Sequence, residues 1–351
     1  MKQSLSLIIF LLFFTFTNTL LAKTTTIVDY SNEYGGKTEQ TVYISGEEEE
    51  GRHKVKIYYD GIIERRYDIY YTYEHSKKKG TERIIDYFDE NGRNTKTEYL
   101  HTKEYAKKKG FERGIVYYNK NGRMTKMEDF HTKEFAKKKG FEKTIDYYDE
   151  KGRTSKREHF HTKEHAKKNG FERTIVYFDG NGKVAETEYF YTKENTHKKG
   201  TERVIKYVDE NGNTTKMEDF HTKEFAKKNG FERTIIYLDE NGKTKKREHF
   251  HTKEHAKKNG FERTIVYLDE NKITTKREYF STYEQVKKRG YEVMTIYYDE
   301  NRRRTKGEYL FAKEYANKNG YNRGIIYYAE NGRTEKRETY INSKLVSTTG
   351  Y

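Results

Sequence analysis

The feature that most restricts what this chain can fold into is a thirty-residue period. One clean copy reads FERTIIYLDENGKTKKREHFHTKEHAKKNG, Phe231–Gly260, and the chain falls into register with it about nine times between Thr81 and Tyr340. A divergent copy starts near His53. A second level of order lies above the first. Residues 121–180 match 211–270 at about four positions in five, so three repeats were copied together. A thirty-residue segment cannot bury enough apolar surface to fold alone, so the repeats must stack on one another and the two ends need caps.

Within the repeat, FERTIIYLDE is rich in β-branched and aromatic residues and reads as a strand. Asn241-Gly242 then reads as a two-residue type I′ turn, both residues tolerating positive φ. The turn fixes a register in which Glu240 opposes Lys243, Tyr237 opposes Lys246, Ile235 opposes Glu248 and Arg233 opposes Phe250. Side chains alternate along a strand, so Arg233, Ile235, Tyr237, Lys246, Glu248 and Phe250 share one face. That face barely changes from repeat to repeat. The opposite face varies: the position of Ile236 is Asp86, Val116, Asp146 and Lys206 elsewhere. The constant face is therefore expected to form the core, with Tyr237 in it, and the variable face to meet solvent or a partner. TKEHAKKNG reads as a short helical turn capped by Thr252, with Gly260 as a left-handed exit. The expected fold is all-β: tandem thirty-residue β-hairpins, an antiparallel array or a solenoid, with short helical turns between hairpins.

The N-terminus, MKQSLSLIIFLLFFTFTNTLLA, has a positive start, an apolar run and a small residue at Ala22. It reads as a signal peptide over 1–22. A capping segment over 23–60, repeats over 61–340 and a C-terminal tail or cap over 341–351 follow. The expected destination is the periplasm or the extracellular space, with no membrane span after cleavage. The chain has no cysteine, which excludes disulfides, zinc–thiolate centres and cysteine nucleophiles. Its formal net charge is +15, and 36% of its residues are charged.

Three sets of residues bear on function. The stretch KREHFHTKEHAKKNGFERTIVY occurs at 156–177 and again at 246–267 and carries His159, His161, His165, His249, His251 and His255. Other repeats put Tyr99, Asp129 or Phe135 at equivalent places, which fits packing better than metal ligation. The recurring glutamates, Glu98 through Glu338, have Lys and Arg at fixed offsets and read as a cross-strand ion ladder rather than acid–base catalysts. Lysine pairs precede the closing glycine: Lys107 and Lys108, Lys137 and Lys138, Lys167 and Lys168, Lys227 and Lys228, Lys257 and Lys258. Stacked in register they make a basic edge, able to hold a polyanion. No motif calls for a cofactor, a metal or a specific nucleic-acid contact.

YDEKGRTSKREHF, Tyr148–Phe160, resembles the YD repeats of Rhs-type proteins, and the hairpin segment of each repeat resembles MORN-like and YwqK-type repeats. The likeness covers about half of each repeat. It implies a tandem β-hairpin fold with binding or shell-forming roles and transfers no catalytic residue. The expected function is that of a non-enzymatic exported scaffold with a protein partner. The alternative is a surface protein that binds an anionic envelope polymer or glycan through the lysine edge. A metal-dependent enzyme is a third class.

Overall fold

The computed structural model describes residues 24–31, 37–45, 51–61 and 63–351. The expected signal peptide lies outside them. The chain divides into two compact units, one running through Asn169 with the hairpin tip Gly180–Gly182, the other comprising Gly170–Asp179 and Lys183–Tyr351. Both are built alike. Two antiparallel strands form a hairpin, a seven-residue helix follows, and the next hairpin begins. The segment expected as the N-terminal cap supplies strands Thr24–Ser31, Lys37–Ser45 and Arg52–Asp60, each paired antiparallel with the next. The C-terminal tail supplies strand Lys344–Gly350, paired with Thr334–Ile341.

The hairpin of strands Phe231–Leu238 and Thr244–His251 shows how the sequence dictates the repeat. The register of Tyr237 with Lys246, Ile235 with Glu248 and Arg233 with Phe250 is the one the sequence implies. The turn that sets it is different. Gly242 alone adopts a left-handed conformation, with φ of 73°. Its N–H donates to the Asp239 carbonyl at 3.0 Å, and the Asp239 N–H donates to the Lys243 carbonyl at 2.9 Å. The loop is thus a three-residue type I turn closed by glycine, not a two-residue type I′ turn. Glu240 does not oppose Lys243. A bulge at Lys245, where Leu238 opposes Thr244 but Tyr237 opposes Lys246, restores the register. The Asp239 carboxylate organises the loop by accepting from the Asn241 and Lys243 N–H groups at 3.0 and 2.7 Å. Where the glycine is lost, Lys272 and Arg302 take φ of 63° and keep the same bonds.

The helices obey their caps. Thr252 accepts from the His255 N–H, Gly260 exits at φ of 84°, and the Gly260 N–H closes on the Ala256 carbonyl. Each later helix also ties to the one before it: Thr132 N–H donates to the Gly110 carbonyl in the first unit, Thr252 N–H to the Gly230 carbonyl in the second, both at 3.0 Å. Within each unit the helices therefore form a row, advancing two strand spacings, about 9–10 Å, per repeat.

Candidate functional site: two sheet faces and a lysine row

On the constant face the core residue is the isoleucine. Ile235 is 7% exposed, and Ile85, Ile115, Ile145, Ile175, Ile205, Ile265 and Ile325 are buried in the same way. Tyr237 is only half-buried, so the aromatic expected in the core instead forms its rim. Long side chains roof the isoleucine. Lys246 Nζ sits 3.7 Å from the Tyr237 ring centre and 2.8 Å from Glu248 Oε1. Arg263 of the next hairpin reaches Glu248 Oε2 at 3.9 Å, and Arg233 lies 4.1 Å over the Phe250 ring. The ladder recurs as Lys96 and Arg113 on Glu98, at 2.9 and 2.5 Å, and as Lys126 and Lys143 on Glu128, at 2.8 and 2.5 Å. Burial works to raise the carboxyls of Glu98 and Glu128. The bonds from their two cations win and hold both below the usual range. Asp68 takes the same place in strand Ile63–Tyr71 and is fully buried between Arg66 and Arg83. In one repeat Glu186 replaces the ladder lysine. Burial and the neighbouring Glu188 and Glu218 push its carboxyl up.

The opposite face is not an open solvent surface. Val116 and Ile296 are buried there, and most of its other positions are half-buried. Its charged occupants have local partners: Arg157 bonds Asp146 through two nitrogens at 2.6 and 3.0 Å, and Lys206 lies 5.2 Å over the Tyr189 ring. His101, His131, His159, His161, His221, His249 and His251 lie on this face, where they are part-buried and hydrogen-bonded or stacked. His131 Nδ1 meets the Gly110 carbonyl at 3.2 Å, so that nitrogen carries the proton. His131 Nε2 then accepts from Thr144 Oγ1 at 2.9 Å, and His159 Nδ1 donates to the same oxygen at 3.4 Å. The duplicated copy repeats the chain of neutral imidazoles: Thr234 Oγ1 lies 3.0 Å from His221 Nε2 and 3.2 Å from His249 Nδ1. His255 stacks on His251 at 4.9 Å, and His249 tilts against Phe231 at 4.7 Å. Burial is the main cause that pushes His159 and His249 down to about 4. Among the described residues, no three of His, Asp and Glu converge as a metal site.

Not every repeat has that threonine: Ile84, Gly114, Val204, Met294 and Gly324 take its place. Gly114 stands where Thr144 and Thr234 stand in other repeats. A Cβ there would lie 3.6 Å from Asp129 Oδ1 and 3.9 Å from His101 Nε2, with room for both. Asp129 Oδ1 is buried without a hydrogen bond. Burial and the nearby Asp146 raise its carboxyl to about 6.

The ten lysines of the expected basic edge all fall in helix last turns and are exposed. Lys107 and Lys108 belong to helix Lys103–Lys109, Lys137 and Lys138 to Lys133–Lys139, and Lys167 and Lys168 to Lys163–Asn169, all in the first compact unit. Lys227 and Lys228 belong to Lys223–Asn229, and Lys257 and Lys258 to Lys253–Asn259, in the second. Sequence reasoning missed further members. Lys77–Lys79 close helix Tyr73–Lys79, and Lys287, Lys288 and Arg289 close helix Tyr283–Arg289. Both helices have the same Thr cap and closing Gly, which was the available signal. They also begin with a tyrosine, 70% and 72% exposed, where most others have lysine.

No family model matches the chain, and no curated protein matches it. Among solved structures, a mutant of S. aureus TarM aligns at 14% identity over 42% of this chain and 19% of its own, with a TM-score of 0.17. A porin-like protein from Bacteroides uniformis aligns at 11% identity over 72% of this chain and 89% of its own, with a TM-score of 0.20. The TcdB2-TccC3-Cdc42 structure aligns at 12% identity over 92% of this chain and 20% of its own, with a TM-score of 0.14. At these TM-scores none of them informs the fold or function.

Proposed function

We propose that the protein is an exported, non-enzymatic interaction scaffold. The observation that carries this reading is the commitment of its recurring reactive groups. Glu248 and its equivalents are taken up by lysine and arginine, and strand histidines such as His221 and His251 by threonine hydroxyls and helix-closing carbonyls. Groups so engaged hold a periodic surface in shape rather than exchange protons with a substrate. Export rests on the leader-like segment 1–22. The test is capture of partners from envelope extract by the full chain at low and at high salt. A protein retained at both supports the scaffold. Failure to retain any protein at either salt overturns it.

A second reading is favoured by the exposed lysines that recur in the helix rows. Spaced about 9–10 Å apart, comparable with the Debye length at physiological salt, they suit a linear anionic polymer. Binding of polyphosphate or an acidic polysaccharide should then weaken steeply with salt. Changing Lys107, Lys108, Lys137 and Lys138 to Gln should reduce affinity at least tenfold. Binding that ignores both salt and these changes excludes this reading.

A further inference from the structure

Exposed apolar side chains are concentrated at one place. Ile341, Leu345, Val346 and Tyr351, between 40% and 70% exposed, all belong to the C-terminal hairpin or its end. Strand Lys344–Gly350 is exposed at every residue and hydrogen-bonds to Thr334–Ile341 on one side. Its other side has no strand among the described residues. Open edges are normally guarded by charge or proline. This strand has one charge, Lys344, and the chain has no proline. The strand beside it, Thr334–Ile341, carries Glu335, Lys336, Arg337 and Glu338.

The form of the free edge indicates what fits it. A bulge at Val346 separates Lys344 and Leu345 from the smooth run that begins at Ser347. Tyr351 extends that run, its N–H donating to the Glu335 carbonyl at 3.0 Å. Ser347–Tyr351 therefore runs smoothly along the edge just beyond a bulge. The junctions between successive hairpins have the same form: beyond its bulge, Lys246–Phe250 pairs with Arg263–Tyr267 over five positions, and Lys216–Phe220 with Arg233–Tyr237 over five more. The chemistry differs. Each of those junctions sets Lys, Glu and Phe against Tyr, Ile and Arg, whereas Ser-Thr-Thr-Gly-Tyr offers no charge to match a repeat strand. It does match itself. Laid antiparallel on a second copy about Thr349, Thr349 opposes Thr349, Thr348 opposes Gly350 and Ser347 opposes Tyr351. No like charges meet, threonine pairs are favourable cross-strand neighbours, and the two Lys344 residues fall at opposite ends. The antiparallel sense of every neighbouring strand pair in this unit is preserved.

We propose that Ser347–Tyr351 is a self-pairing edge that joins two copies of this chain in a two-fold symmetric dimer. Because the natural chain has no cysteine, one introduced thiol reports the contact. Directly opposed residues of antiparallel strands have Cα atoms about 4.5–5.5 Å apart, within disulfide range. The full chain should sediment as a monomer–dimer equilibrium. Thr349→Cys should form a disulfide dimer at least tenfold faster than Lys245→Cys, an exposed strand position far from the edge. Thr349→Lys should shift the equilibrium to monomer, and mixing it with Thr349→Asp should restore dimers. A monomer at all concentrations, open-ended oligomers, equal crosslinking at both thiols, or an undisturbed Thr349→Lys dimer would each overturn the proposal.

Discussion

Ile235 and Ile236 are chain neighbours with the same side chain, yet they face two different kinds of surface. Ile235 belongs to a set of buried isoleucines and is roofed by Lys246, Glu248, Arg263 and Tyr237, a grouping that most repeats keep. Ile236 belongs to a row that elsewhere holds Asp86, Asp146 and Lys206, each answered by a local partner: Asn94 and Thr97, Arg157, and the Tyr189 ring. The first face solves burial once and repeats the solution. The second solves it afresh in each repeat. A single-layer sheet cannot hide apolar groups under a second layer, so it hides them beneath its own long side chains. Constancy of the pattern on one face and freedom on the other follow from that.

The largest expected effect separates the faces directly. Ile235→Ala should cost about 2–4 kcal/mol, as for other buried Ile truncations. Ile236→Asp should cost less than about 1 kcal/mol, because Arg247 stands opposite it as Arg157 stands opposite Asp146. Chemical denaturation of the two variants measures both.

Acid should act on the histidine face. His159 and His249 titrate near 4 when folded and near 6.5 when unfolded. A depressed histidine pKa means that the neutral form stabilises the fold. That contribution is complete above about pH 6.5 and is lost as pH falls from there toward 4. His249 faces Phe231, Thr234, His251, His221, Arg247 and Arg277, none of which supplies a compensating anion. His249→Gln should flatten the pH dependence of stability by about 1–3 kcal/mol between pH 7 and 4. Asp129 works with the opposite sign. Its pKa is raised to about 6, so the cost of holding it charged disappears as pH falls through that value. An unchanged pH profile in the His249 variant would mean that the buried histidine does not set the acid sensitivity of the fold.

The smallest effect is a gain. Gly114→Thr supplies the hydroxyl that other repeats have, beside a buried carboxylate oxygen and a histidine nitrogen. It should raise stability by about 0.5–1 kcal/mol through the hydrogen bond and the stiffer unfolded chain, read as a higher melting temperature. A loss would mean that the hole at Gly114 is already satisfied.

The hairpins, their register, the helix caps and the exposed lysines are legible in the sequence because each is local. Asn241-Gly242, Thr252 and Gly260 act within a few residues of themselves. The type of turn is not legible, because Asp239, which receives two loop N–H groups, sits where the pattern still reads as strand. The register survives because the bulge at Lys245 offsets the extra turn residue. The duties of the histidines are not legible either. Thr144 is 13 residues from His131 and 15 from His159, and neighbours across a sheet become visible only once hairpins are stacked. The self-pairing edge is hidden for the same reason, since a residue's exposure depends on which strand lies beside it.

Hydrogen exchange resolved by repeat reads where an array loosens. Ile235→Ala should accelerate exchange in the Phe231–His251 hairpin and the hairpins on either side before any other part of the second compact unit. Ile236→Asp should leave the same amides near wild type. If Ile236→Asp loosens this hairpin as much as Ile235→Ala does, the two faces are energetically alike and the isoleucine row is not what holds the repeats together.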